Sequence, residues 1–160
     1  MTESARVRLR PVEAGDLDAF LEFQSDLGAR HMAAFSGKEP LDRPSFEERW
    51  AKIQGDETTV MRTITLGDQV AGYVMKFEMR GDPLVAYWIG REFWGRGIAT
   101  TALKQFIGEI TMRPLYARAA TDNIGSVRVL EKCGFLRSGV EKNYAAAREA
   151  QTEEVIMRLD

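Results

Sequence analysis

Residues 88–100 read Trp88-Ile89-Gly90-Arg91-Glu92-Phe93-Trp94-Gly95-Arg96-Gly97-Ile98-Ala99-Thr100. The segment joins two different periodicities. Before it, Leu84 to Ile89 is an apolar run of strand length; after it, Ile98, Ala102, Leu103, Phe106, Ile107 and Ile110 share one face of a helix that Pro114 ends. No Ser, Thr, Asp or Asn stands at the start of that helix to cap it, so its leading amides need an acceptor from elsewhere. The helix N-terminus carries partial positive charge, and Gly95 and Gly97 remove the side chains that would hold a bulky anion away from the backbone. A phosphate group suits such a loop, and Arg96 adds a charge-assisted contact. Two other readings stand beside this one. The glycines can form a tight turn packed under Phe93 and Trp94, with water on the amides. A dinucleotide fingerprint fits less well, because Thr100 stands where its third glycine belongs and no βαβ unit opens the chain.

Upstream, Val7 and Leu9 alternate with arginines as a short first strand. A helix follows, with Asp16 as its expected cap and Leu17, Phe20, Leu21 and Leu27 as its apolar stripe. Ser45 and Glu48 are spaced as a capping box ahead of Phe46, Trp50 and Ile53, so a second helix is expected from Ser45. Residues 31–44 read as irregular. Thr59–Leu66, Val70–Glu78 and Leu84–Ile89 form a meander with turns at Gly67-Asp68 and Gly81-Asp82-Pro83. Downstream, the pattern predicts a strand over Leu115–Thr121, a helix over Ile124–Cys133 closed by Gly134, and strands over Phe135–Val140 and Val155–Leu159. The order is β, α, α, three strands, then α, β, α, β, β. It calls for an α/β (α+β) fold with a mixed sheet and helices on both faces.

Composition narrows the chemistry. The 160 residues suit one domain, and 22 basic against 24 acidic side chains leave a net charge of −2 without a footprint for nucleic acid or an anionic membrane. Cys133 is the only cysteine and His31 the only histidine. Zinc hydrolases, Cys-His proteases and Ser-His-Asp hydrolases therefore fall away in their usual forms, and no metal site is expected. With no leader-like segment and no apolar run of about 18 residues, a cytoplasmic protein is the expectation.

The segments Tyr87-Trp88-Ile89, Phe93 to Ala99, and Asn123-Ile124-Gly125-Ser126-Val127-Arg128-Val129-Leu130-Glu131-Lys132-Cys133-Gly134-Phe135 together resemble the GNAT superfamily of acyl-CoA N-acyltransferases. The resemblance is particularly to its ribosomal-protein N-terminal acetyltransferase branch. Arg8-Leu9-Arg10-Pro11 and Gly15-Asp16-Leu17 look like that branch's opening. The resemblance implies one N-acetyltransferase domain over residues 1–160, its mostly antiparallel sheet split between strands 4 and 5. It implies acetyl-CoA as co-substrate. The pantetheine arm would lie along Trp88 and Ile89, and the pyrophosphate on Trp94, Gly95, Arg96, Gly97, Ile98, Ala99 and Thr100. Asn123 and Ser126 would face the sulfur, and Lys132 is a further candidate phosphate ligand. Residues three apart on a helix share a face, which agrees for Asn123 and Ser126; a helix cap and a small packing residue are their ordinary alternatives. The family's usual late-helix tyrosine is replaced by Leu130 and its strand glutamate by Leu84.

The expected reaction is direct acetyl transfer to a primary amine of a protein N-terminus or small molecule; the alternative is an acyl-CoA-binding module without catalysis. Ser126 is the candidate donor to the leaving thiol and Asn123 its neighbour, while an amide near Ile89 is the candidate for polarising the carbonyl. Glu154 is the candidate base, with Glu141, Tyr87 and Tyr144 behind it. Acceptor contacts are expected from Arg30, His31 and Phe35 and from a loop over 142–151, because loops on rigid elements set specificity. Monomer and homodimer both stay open.

Overall fold

The computed structural model describes residues 6–34 and 42–160. Its strands are β1 (Val7–Arg10), β2 (Val60–Leu66), β3 (Gln69–Met79), β4 (Asp82–Ile89), β5 (Leu115–Ala120), β6 (Leu136–Ala145) and β7 (Ala150–Leu159). Its α-helices are α1 (Asp16–Gln24), α2 (Leu27–Ala33), α3 (Arg43–Gln54), α4 (Ile98–Glu109) and α5 (Ile124–Lys132). The strands form one sheet in the order β1-β2-β3-β4-β5-β7-β6. Every pairing is antiparallel except β4 with β5, which is parallel and meets only at Leu84 and Tyr116. Beyond that pair the two strands part, so the sheet is split between strands 4 and 5.

Strand alternation sends side chains to two cores. Ile64, Val74, Val85 and Ile89 meet Leu103 and Phe106 of α4 and Val127 and Leu130 of α5. On the other face Tyr73, with Met61, Met75 and Trp88 beside it, meets Phe20 of α1 and Phe46 and Trp50 of α3. Phe20, Trp50 and Tyr73 pack with ring centroids 5.1–5.4 Å apart. Helices therefore cover both faces.

Local details depart from the sequence reading in four places. Asp16 does not cap α1 from outside; it lies in the first turn, after Gly15, and is turned into the protein. There its carboxylate accepts from both Arg10 Nη atoms (2.7 and 2.8 Å), the Glu13 amide (2.8 Å) and Thr63 Oγ1 (2.7 Å). Asp42, not Ser45, caps α3: its carboxylate accepts the Ser45 amide at 2.8 Å, and Pro44 suits the first turn because its missing N–H has no partner there anyway. The first helix, expected to carry Leu27 on its stripe, ends at Gln24, and a separate helix α2 begins at Leu27, capped by Asp26 through the Ala29 amide at 2.9 Å, and takes in residues 31–33 of the stretch expected to be irregular. Finally, most of the expected loop 142–151 is strand. β6 and β7 pair from Leu136↔Arg158 to Ala145↔Ala150, leaving only residues 146–149 as the turn. This hairpin is at the sheet edge with much of its surface wet, so polar residues occupy it and hydrophobic alternation is weak.

Candidate active site

Where β4 and β5 part, a cavity of about 630 Å³ opens. Four segments line it: the end of β4 with the Gly95 loop, the start of α4, one side of α5 from the preceding Asp122 and Asn123 to Lys132, and residues Ala29, Met32 and Ala33 of α2. Each is placed by the core. Phe93, 4% exposed, buries the loop's base and packs edge-on against Phe23 at 6.4 Å, while Trp94 Nε1 donates to the Ile89 carbonyl at 2.9 Å. Gly95 (φ 72°) and Gly97 (φ 75°) sit in the left-handed region, which other residues adopt at a cost. That turn aims the first amides of α4 at the cavity.

Those amides bear on whether a coenzyme's phosphates fit. The helix starts at Ile98 after Gly97, which has no side chain to cap it, and the first hydrogen bond across the junction runs from the Thr101 amide to the Gly97 carbonyl at 3.1 Å. The amides of Ile98, Ala99 and Thr100 have no protein acceptor among the described residues. A Cβ built on Gly95 or Gly97 would meet nothing within 4 Å, so the loop borders open space. Unpaired donors at a helix's positive end beside room for a bulky anion fit a pyrophosphate. Arg96, Arg128 and Lys132 line the same cavity and supply positive charge.

Of the residues singled out from sequence, Trp88, Ile89, Trp94, Gly95, Arg96, Gly97, Ile98, Ala99, Thr100, Asn123, Ser126 and Lys132 all line this one cavity. Asn123 is the N-cap of α5: its Oδ1 accepts the Ser126 amide at 3.2 Å, and its Nδ2 donates to the Met32 carbonyl at 3.4 Å. The Ser126 hydroxyl lies 2.9 Å from Tyr87 Oη on β4, so one hydrogen bond spans the split. Burial pushes the Tyr87 hydroxyl up to about 12. The backbone near Ile89 is largely engaged: Ile89 O takes the Trp94 indole, and the Gly90 amide donates to the Ala71 carbonyl at 2.9 Å.

Glu154 lies elsewhere. It is 6% exposed on β7, does not line the cavity, and accepts from Arg118 Nη1 at 2.7 Å and Asn143 Nδ2 at 3.0 Å. Glu141 shares the same guanidinium at 2.8 Å, which holds its carboxyl below the ordinary range. Tyr144 is exposed on the edge strand β6. Leu130 is buried in the core rather than facing the cavity. Arg30 is buried and donates to the Gln24 carbonyl at 3.2 Å; Phe35 lies outside the described residues.

Sequence reasoning missed the α2 wall, which brings Ala29, Met32 and Ala33 to the cavity. It also missed what holds that wall. Arg148, in the β6–β7 turn, donates to the carbonyls of His31 (2.8 Å) and Met32 (3.3 Å) and doubly to Asp122 (2.7 and 2.9 Å). Its hydrogen bonds hold the Asp122 carboxyl below its ordinary range. Asp26 before Leu27 was the available sign of the helix; nothing in the sequence pointed from Arg148 to a carbonyl more than a hundred residues away. Arg128 was findable, since it and Lys132 stand four apart on α5.

Comparison with known proteins agrees with this fold. Residues 6–136 match the family model described as an acetyltransferase (GNAT) domain. The probable N-acetyltransferase YjcK of Bacillus subtilis (strain 168) is 26% identical over 158 residues, covering 89% of this chain and 87% of that protein. Among solved structures, a GNAT-family acetyltransferase from Bacillus anthracis superposes with a TM-score of 0.79 at 18% identity, covering 96% of this chain and 94% of that one. Spermidine N-acetyltransferase from Vibrio cholerae, in complex with CoA and spermine, superposes at 0.77 and 21%, covering 96% of each. At such identities the likeness to the solved structures concerns the fold.

Proposed function

The chain belongs to the GNAT family of acetyl-CoA-dependent N-acetyltransferases, and from that premise we propose that residues 1–160 act as one domain transferring acetyl to an α-amine, directly, in the cytoplasm. The observation that carries this reading is the set of unpaired amides at Ile98, Ala99 and Thr100, facing a cavity that continues to α2. The coenzyme supplies an activated acetyl thioester. The protein supplies an anion seat from the loop amides, with Arg96, Arg128 and Lys132 adding charge, and a narrow split in which Asn123 and Ser126 stand beside the thioester end. The amine nitrogen bonds to the acetyl carbon, the C–S bond breaks and its electron pair stays on sulfur. A hydrogen bond from Ser126 stabilises that thiolate, and the nitrogen's surplus proton passes to water.

The lining supports the choice of an α-amine. Among the described lining residues the only carboxylate is Asp122, already engaged by Arg148, so no free carboxylate lines the cavity to take a proton. Glu154, the base expected from sequence, is better read as a partner of Arg118. At neutral pH an α-amine is deprotonated at a cost of about 1 kcal/mol but a lysine-like amine at about 4.6 kcal/mol, from reference values near 7.7 and 10.4. A site without a free base suits the first. Purified protein given acetyl-CoA and a panel of short peptides, amino acids, spermidine and an aminoglycoside should release free thiol fastest with an α-amine. Preference for spermidine would overturn the acceptor class. Tight CoA binding with no thiol release from any amine would instead favour the non-catalytic alternative.

A further inference from the structure

Tyr87 and Ser126 come from opposite sides of the split, one from strand β4 and one from helix α5, and their oxygens meet at 2.9 Å beside the cavity. Among the described residues each hydroxyl has only the other as a side-chain partner. Which one donates is decided by chemistry. A phenol is far more acidic than an aliphatic alcohol and is the better donor, and a largely buried tyrosine O–H needs an acceptor, for which Ser126 Oγ is the one at hand. The serine's own hydrogen is then unspent. Among the described residues that hydrogen makes no bond to a backbone carbonyl. Asn123 meanwhile accepts the Ser126 amide at 3.2 Å and so fixes the serine's backbone, while Tyr87 is the group that holds its Oγ.

We propose that Tyr87 is a positioning residue: its phenol donates to Ser126 Oγ and thereby keeps the serine's hydrogen free for the coenzyme's sulfur. The inference rests on the cofactor reading above and adds to it the group that orients the donor. Donation by Tyr87 also polarises the serine hydroxyl, which strengthens the bond Ser126 makes in turn. A serine so held favours the thiolate over the thiol, because a hydrogen bond to the charged form lowers the pKa of the group that accepts it. Without Tyr87 the hydroxyl regains its freedom to rotate toward the backbone.

The test reads the thiol of bound CoA itself, by the ultraviolet absorbance of the thiolate against pH, so it needs no amine acceptor. In the wild type the bound thiol should titrate below free CoA. Tyr87→Phe should raise that value by roughly one unit, the worth of one hydrogen bond to a charged group, with CoA affinity at low pH within about twofold because the pyrophosphate seat is untouched. Ser126→Ala should raise it at least as far, and adding Tyr87→Phe to Ser126→Ala should change nothing more. Tyr73→Phe, which deletes a buried tyrosine hydroxyl bonded to Gln24 on the other face, should titrate like the wild type. Equal thiol values in Tyr87→Phe and wild type would overturn the inference while leaving the cofactor reading intact. Failure of the wild type to bind CoA at all would overturn both.

Discussion

At the scale of single residues, Gly97 and Asp16 carry the most. Gly97 combines a left-handed φ of 75° with a position at the mouth of the anion seat. Gly97→Glu should weaken CoA binding by at least a hundredfold, measured by calorimetry, since it sets bulk and negative charge where the phosphates are proposed to bind; Ser126→Ala should change affinity by less than about threefold. Equal affinities in the two variants would contradict the seat. Asp16 is a stability residue. Burial alone would raise its carboxyl, but Arg10, the Glu13 amide and Thr63 together hold it below the ordinary carboxylate range. A carboxyl with a lowered folded value contributes stability that is fully present above its unfolded value, near 3.9, and is lost as pH falls through the folded one. Asp16→Asn should therefore cost about 2 kcal/mol at neutral pH and flatten the acid limb of the stability curve below about pH 4. An unchanged acid limb in urea titrations would refute this.

At the scale of elements, α2 is a wall held in place by a distant turn. Its contact with the body of the protein includes the small cluster Ala34, Ala120 and Ala145, which allows close approach but buries little area. Polar contacts add to it: Arg148 donates to the His31 and Met32 carbonyls while anchored on Asp122, Asn123 donates to the Met32 carbonyl, and Arg91 pairs with the cap Asp26. Arg148→Ala should raise the KM for the amine by about tenfold, as expected for the loss of one or two charge-assisted bonds, with the CoA dissociation constant nearly unchanged. Arg148→Lys, which keeps the charge but not the fork, should recover only part of the loss. A variant that loses CoA and amine affinity together would show that the turn supports the whole cavity rather than one wall. Sequence patterning could not expose this device, because hydrophobic periodicity carries no information about a polar side chain reaching a carbonyl on another element.

At the scale of the molecule, the split is held by little backbone pairing: β4 and β5 share a single registered pair, Leu84 with Tyr116. A ligand filling the split contacts both halves and should act as a staple. CoA at about a hundred times its dissociation constant should contribute about 2.7 kcal/mol, a rise in Tm of about 5–10 °C for a chain of this size. NAD should give little shift. A larger shift with NAD than with CoA would revive the dinucleotide reading of the Gly95 loop. No helix among the described residues is long and apolar enough to cross a membrane.

Read alone, the sequence determined the order of nearly all the strands and helices, the strand-loop-helix around Gly95, and the helix face shared by Asn123 and Ser126. Those features are local: they follow from periodicities of two and 3.6 and from glycines at turns, which neighbouring residues declare among themselves. It did not yield α2, a short helix with Gly28 inside it, nor the caps of α1 and α3, where Gly15 and Asp42 stand in place of the expected Asp16 and Ser45. Only the tertiary structure decided that Tyr87 meets Ser126, that Glu154 is taken by Arg118, and that Arg148 secures α2. Each of these is a short polar contact between elements far apart in the chain. Such contacts are set by where the packed sheet and helices bring two polar groups together, and no spacing along the chain records that distance.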